Sequence, residues 1–141
     1  MDQTAKKNPA VGERLVHKTF PAISRHTLAL YCGASGDHNP IHVDIDFAKK
    51  AGFPDVFTHG MLVMAYLGQA LTDAVHPASI RSFSTRFAAI TQLGARLTCE
   101  GHVTELLDRG DIILERRSGL LCQRRCSLRK GGDAVECAAD L

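Results

Sequence analysis

The sequence predicts an α+β fold in which an antiparallel sheet wraps round one long central helix. Three observations lead there. The stretch from Gly60 to about Val75 is apolar in nearly every helical direction, with Gln69, Thr72 and Asp73 as a polar minority near its far end. Such a helix must be enclosed rather than laid on a surface. Phe83 and Phe87 alternate with Ser82, Ser84 and Arg86, and Leu97, Cys99, Gly101 and Val103 alternate with Arg96, Thr98, Glu100 and His102, which is the period of a half-buried strand. A chain of 141 residues has room for one such domain and no second.

The elements follow in chain order. Residues 1–12 are polar, with Pro9 and Gly12 near the end, and read as a loosely held arm before a single domain over residues 13–141. Arg14 to Phe20 is short, partly β-branched and stopped by Pro21, which suits a first strand. Ser24 can cap a helix over about residues 25–34, where Leu28, Ala29, Tyr31 and Cys32 supply an apolar face. The segment Ser35 to Pro40 breaks that helix. Gly36 permits unusual backbone angles and Pro40 pushes Asn39 out of the helical region, so Asp37 to His42 is expected as a fixed irregular loop. Asp44 to Ala51 can form a short helix with Asp44 at its cap and Gly52 at its end. Beyond the long helix and the two strand-like stretches above, Ile112 to Arg116, Leu120 to Arg129 and Val135 to Leu141 continue the strand pattern. Gly119 and the Gly131-Gly132-Asp133 turn separate them.

Composition removes several classes of function. With 45% hydrophobic and 23% charged residues, the chain can bury a core and is no disordered tail. A net charge of +2 is too small to imply a nucleic-acid coat or a membrane-seeking surface. The first twenty residues lack the apolar core of a signal peptide, and the longest apolar run, Met61 to Leu67, falls far short of the roughly 20 residues that span a bilayer. A cytoplasmic location is expected. The five cysteines (Cys32, Cys99, Cys122, Cys126 and Cys137) are odd in number and form no CxxC pair, so they are read as reduced thiols, Cys99 and Cys137 as small core residues.

Among seven histidines, His42 stands out because it lies five residues after Asp37 across an Asn-Pro break. A loop can bring a carboxylate and an imidazole round one water molecule, where they would move protons in both directions without a cofactor. The same spacing also suits a turn capped by Asp37 with His42 packed beneath it, and spacing alone leaves both readings open. His17, His26, His76 and His102 sit in no ligand-spaced cluster, so no metal site is expected. His38 is expected to face solvent. Ser35 and Thr58 lack a base with an orienting partner and read as turn or capping residues.

The stretch Tyr31 to Ala48, YCGASGDHNPIHVDIDFA, resembles the hydratase 2 motif of the MaoC-like, (R)-specific enoyl-CoA hydratases and dehydratases, and the match continues through His59-Gly60-Met61. The resemblance implies the hot dog fold, a long antiparallel sheet round a central helix that pairs with another copy, so a homodimer or higher homo-oligomer is expected. It places Asp37 and His42 as the catalytic pair and Gly60 at the position whose backbone N–H binds the thioester oxygen. Two supporting residues are expected: Asn39, which either fixes the loop through its amide so that the pair converges or forms a purely local turn, and His59, which bonds within the loop or lines the site. The implied reaction is reversible hydration of a trans-2-enoyl-CoA to its (3R)-hydroxyacyl form. Coenzyme A enters as part of the substrate, with no other cofactor. Two alternatives stand beside it: dehydration of a (3R)-hydroxyacyl chain on acyl carrier protein, and a catalytically silent subunit that binds acyl thioesters. Thioesterase activity fits the Asp-x-Asn-Pro-x-His spacing less well. Between Arg109 and Lys130, Arg109, Arg116, Arg117, Arg124, Arg125, Arg129 and Lys130 face only Asp111 and Glu115. This bias either attracts coenzyme A phosphates or an acidic carrier protein, or is a solvated strand face. The segment is also longer than the family pattern.

Overall fold

The computed structural model of the chain describes residues 9–106 and the strand segments 112–115 and 125–128. The first eight residues of the expected arm lie outside the described residues, as do Gly119, the Gly131-Gly132-Asp133 turn, the expected strand Val135 to Leu141, and Cys122 and Cys137. So do Arg109, Arg116, Arg117, Arg124, Arg129 and Lys130 of the basic segment, while Arg125 and Cys126 lie on a described strand backbone.

Strand β1 (Arg14–Thr19) pairs antiparallel with β3 (Thr98–Leu106), β3 with β4 (Ile112–Glu115), β4 with β5 (Arg125–Leu128), and β5 with β2 (Ile80–Phe83), so the sheet runs β1-β3-β4-β5-β2. The end of the arm is tied to it: Gly12 N–H donates to the Val103 carbonyl at 2.7 Å. The alternation expected for Leu97 to Val103 is observed, with Cys99, Gly101 and Val103 buried and Thr98, Glu100 and His102 only partly so. Gly101 stands opposite Val16, and a β-carbon there would lie 3.1 Å from Val16 Cβ. The strands can close up at this point only because the residue is glycine.

Between β1 and β2 come three helices: α1 (Arg25–Ser35), α2 (Ile45–Lys50) and α3 (Gly60–Ala74). Each starts or stops where the sequence signals it. Ser24 Oγ accepts from Thr27 N–H, and Gly36 ends α1 at φ 74°, the left-handed region that a side chain would strain. Asp44 accepts from the N–H groups of Asp46 and Phe47. Arg25 Nη2 donates to both carboxylate oxygens of Asp55, at 2.8 and 2.6 Å, and ties the start of α1 to the chain entering Val56.

Helix α3 belongs to two cores. Its C-terminal half packs Ala70 and Leu71 on the sheet residues Val16, Cys99 and Val103 with Phe20, and its N-terminal half packs Leu62 against Ile23, Leu28, Ala48 and Val56. Tyr66 joins the two and meets the Phe20 ring at 4.6 Å between centroids. Two expectations need correction. Among the described residues the helix is not enclosed all round: Leu62, Ala70 and Leu71 are buried, but Met61 is 54% exposed and Ala65 is exposed as well. The strand expected to run on to Phe87 leaves the sheet after Phe83. The Phe87 ring instead crosses the start of α3, 3.3 Å from where a β-carbon on Gly60 would lie, and stays 52% exposed.

The close β1–β3 contact makes a stability prediction. Gly101→Val should lower the unfolding free energy by about 1–3 kcal/mol, because the stiff Val16 side chain cannot retreat. Urea denaturation reads this directly, and a variant as stable as the parent would show that the strands separate freely at this point.

Candidate active site

The loop after α1 is built from short-range hydrogen bonds. Ser35 Oγ donates to the Tyr31 carbonyl at 2.7 Å and accepts from Asp37 N–H at 3.2 Å, while the Asp37 carboxylate accepts from Asn39 N–H at 3.3 Å. Asn39 then accepts from Ile41 N–H at 3.2 Å and caps a single 3₁₀ turn, Pro40–His42. The loop is thus partly regular. Asn39 acts as a local turn former, one of its two expected roles.

That turn swings His42 inward, to 8% exposure. Its Nδ1 lies 2.8 Å from the Phe57 carbonyl oxygen. A carbonyl oxygen only accepts, so Nδ1 carries a proton, and the neutral form of the ring has its lone pair at Nε2. The Phe57 ring meets the imidazole edge-on at 5.0 Å between centroids. His59, 1% exposed, stacks on the other ring at 3.8 Å between centroids with 31° between planes. One donor atom each from Asp37, His42 and His59 lies within 4.8 Å of the other two. Of the two readings left open by spacing, the packed turn is seen directly, since Asp37 accepts from its own loop and His42 is buried, and the two side chains also lie within 4.8 Å of each other.

Gly60 follows His59 directly and opens α3. Its N–H makes no hydrogen bond among the described residues, as the first turn of a helix allows, and it lies at the positive end of the helix dipole. Beside it a cavity of about 280 Å³ is lined by Phe57, Gly60, Val63, Phe87, Ile90 and Thr91 among others, most of it apolar. Gly60 thus lines an apolar hollow, and the cluster of Asp37, His42 and His59 ends one residue before it in the chain, at His59. Two imidazoles and a carboxylate are also a donor set for a divalent transition ion.

Other expectations resolve plainly. His38 is exposed, and Thr58 is buried with its N–H on the Thr91 carbonyl at 2.9 Å. His17 pairs with Glu100 at 3.0 Å, and His76 Nδ1 accepts from Ala78 N–H at 3.2 Å, both away from the site residues. Three participants carry no sequence signal of their own: the Phe57 carbonyl, the Cys32 thiol 3.5 Å from His59 Nε2, and the Tyr31 ring set edge-on to His59 at 4.9 Å.

The family model described as MaoC like domain matches residues 6–118. The chain belongs to this MaoC-like family. Over 87 residues this MaoC-like chain is 33% identical to an (R)-specific enoyl-CoA hydratase of Rhodospirillum rubrum, covering 60% of each chain. Over 75 residues it is 36% identical to the peroxisomal enoyl-CoA hydratase 2 of Arabidopsis thaliana, covering 51% of this chain and 24% of that protein. The chain thus spans less than two thirds of these curated relatives. Its fold matches the unliganded R-hydratase PhaJ1 of Pseudomonas aeruginosa with a TM-score of 0.75 and 25% identity, covering 88% of this chain and 83% of that one. The MaoC-like architecture is the hot dog fold, as the resemblance implies.

Burial, and after it the neighbouring His42, hold the His59 imidazole below the usual histidine pKa, against the opposite pull of the Asp37 carbonyl it bonds and of the Asp37 charge. A histidine whose folded pKa is depressed contributes stability that is complete above its unfolded value of about 6.5 and is lost as pH falls below it. The urea midpoint should therefore drop between about pH 7.5 and about pH 5.5, and drop less in His59→Gln. Equal losses in the two proteins would contradict the assignment.

Proposed function

We propose that the protein reversibly hydrates trans-2-enoyl-CoA thioesters to (3R)-hydroxyacyl-CoA, with Asp37 and His42 as the catalytic pair and the Gly60 amide as oxyanion donor. The observation that carries this reading is the cluster of the Asp37 carboxylate, the His42 imidazole and His59 within 4.8 Å, with His59 one residue before the free amide of Gly60. Addition of water to C3 of a conjugated thioester shifts an electron pair onto the carbonyl oxygen. An amide aimed at that oxygen from a helix start lowers the barrier, and donors of this kind are worth about 10² to 10³ in rate. The attacking water must lose one proton and C2 must gain one. Whichever of the Asp37 carboxylate and the His42 imidazole takes the water's proton becomes the acid that returns a proton to C2, so the sum is water added across the double bond and neither metal nor redox cofactor enters the proposed balance. The apolar cavity beside Gly60 suits an acyl chain.

The partner and compartment belong to the same proposal. The exposed apolar side of α3 around Met61 suits a second copy of this chain, which gives the expected homodimer. Cys32 and Cys99 are both free thiols, in keeping with a cytoplasmic protein, and no helix among the described residues is long and apolar enough to cross a membrane.

Crotonyl-CoA and longer enoyl-CoA substrates decide the matter. Purified protein should bleach the absorbance of the conjugated thioester, and Asp37→Asn and His42→Ala should each lower kcat by about 10² to 10⁴ while leaving the circular dichroism unchanged. Turnover of carrier-protein substrates alone would move the activity to a synthetic dehydratase. Binding without turnover would make the chain a silent acyl-thioester subunit.

A further inference from the structure

His59 stands at the junction of every part of the site, and its position is costly. Nδ1 is buried and has no hydrogen-bond partner, so the ring leaves one polar atom unsatisfied in the interior. A phenyl ring would fill the same space without that penalty, typically about 1–3 kcal/mol for such an atom. An imidazole kept at a site where it costs stability has its explanation in what its other nitrogen does.

Nε2 lies 3.4 Å from the Asp37 carbonyl oxygen and 3.5 Å from Cys32 Sγ. Against an oxygen that only accepts, Nε2 carries the proton and donates. This contact is the bond that ties Asp37 across to another element. Its N–H reaches only Ser35 Oγ and its carboxylate only Asn39 N–H, both within the same exposed loop. At the same time the His59 ring stacks on His42, and its own carbonyl accepts from Leu62 and Val63 N–H at 3.1 and 3.3 Å, which sets the first turn of α3 and hence the Gly60 amide.

We infer that His59 is a positioning residue, an imidazole that clamps the Asp37 loop to the start of α3 and supports the His42 ring, so that carboxylate, base and oxyanion donor keep fixed relative places. The inference rests on the function proposed above. The titratable groups in contact with it are His42, Cys32 and Tyr31, with Asp37 through its carbonyl. His59 itself touches no reacting atom in this scheme. Its loss would loosen geometry, and a misplacement of about 1 Å can cost roughly 10²-fold in rate.

A clamp and a merely structural core residue respond oppositely to substitution by phenylalanine. His59→Phe keeps the ring and removes the unsatisfied atom, so its thermal midpoint should equal or exceed the parent's. Its kcat on crotonyl-CoA should fall about tenfold to a hundredfold with KM within about twofold. His59→Gln, whose amide can reach the Asp37 carbonyl, should recover most of that kcat. A Phe variant with the parent's kcat, or a Gln variant no better than the Phe variant, would overturn the inference. Should the Phe variant fail to fold, nitrogen-15 NMR of the parent protein decides instead. The clamp requires a slowly exchanging proton on His59 Nε2, and a proton on Nδ1 would refute it. Were the parent protein inactive on every enoyl thioester, the functional proposal would fall, while the same spectrum would still report whether the clamp exists.

Discussion

A carbonyl oxygen can only accept a hydrogen bond, so the 2.8 Å contact between Phe57 and His42 Nδ1 settles which nitrogen of the buried imidazole holds its proton. The chemistry available to the site depends on that contact. With Nδ1 occupied, the lone pair of the neutral ring sits on Nε2, where the proposed base needs it. With the tautomer reversed, the same residues would be a packed turn and nothing more. The Phe57 carbonyl is in turn held in place by its neighbours, since Phe57 bridges to Gln92, Thr58 N–H bonds the Thr91 carbonyl and Val56 is fully buried. The His42 ring is thus oriented by a backbone carbonyl, with the His59 ring packed against it.

The same stretch of chain also launches α3. Val56, Phe57, Thr58, His59 and Gly60 run from the helical core through the imidazole's acceptor to the free amide. The lower half of α3 is locked to the sheet through Ala70 and Leu71, and Tyr66 connects that core to the one around Leu28. Packing of about a dozen apolar side chains therefore fixes where one N–H group points. This is how a small domain holds the few polar groups of a site on rigid elements.

Much of this was legible in the sequence. Ser24, Gly36 and Asp44 marked helix ends through chemistry that works locally, whatever the rest of the chain does. The Asp37 to His42 spacing located a carboxylate and an imidazole, but it could not show that they meet, because that depends on a 3₁₀ turn directing His42 toward the distant Phe57 carbonyl. His59 was visible only as the residue before Gly60. Its contacts with Tyr31 and Cys32 come from the packing of α1 against the start of α3, for which no local signal exists. The departures have the same origin. The alternation of Phe83 with Phe87 is a sound strand pattern, but the chain turns away after Phe83 to cover Gly60, and the all-apolar surface of α3 speaks of burial without saying whose residues provide it.

The most direct measurement is a crystal structure of the protein bound to an acyl-CoA analogue that cannot take up water. The account requires the thioester oxygen about 3 Å from the Gly60 nitrogen, with a water held between the Asp37 carboxylate and His42 Nε2 on the side of C3. A thioester seated elsewhere, or a His42 ring whose Nε2 faces away from the ligand, would contradict it.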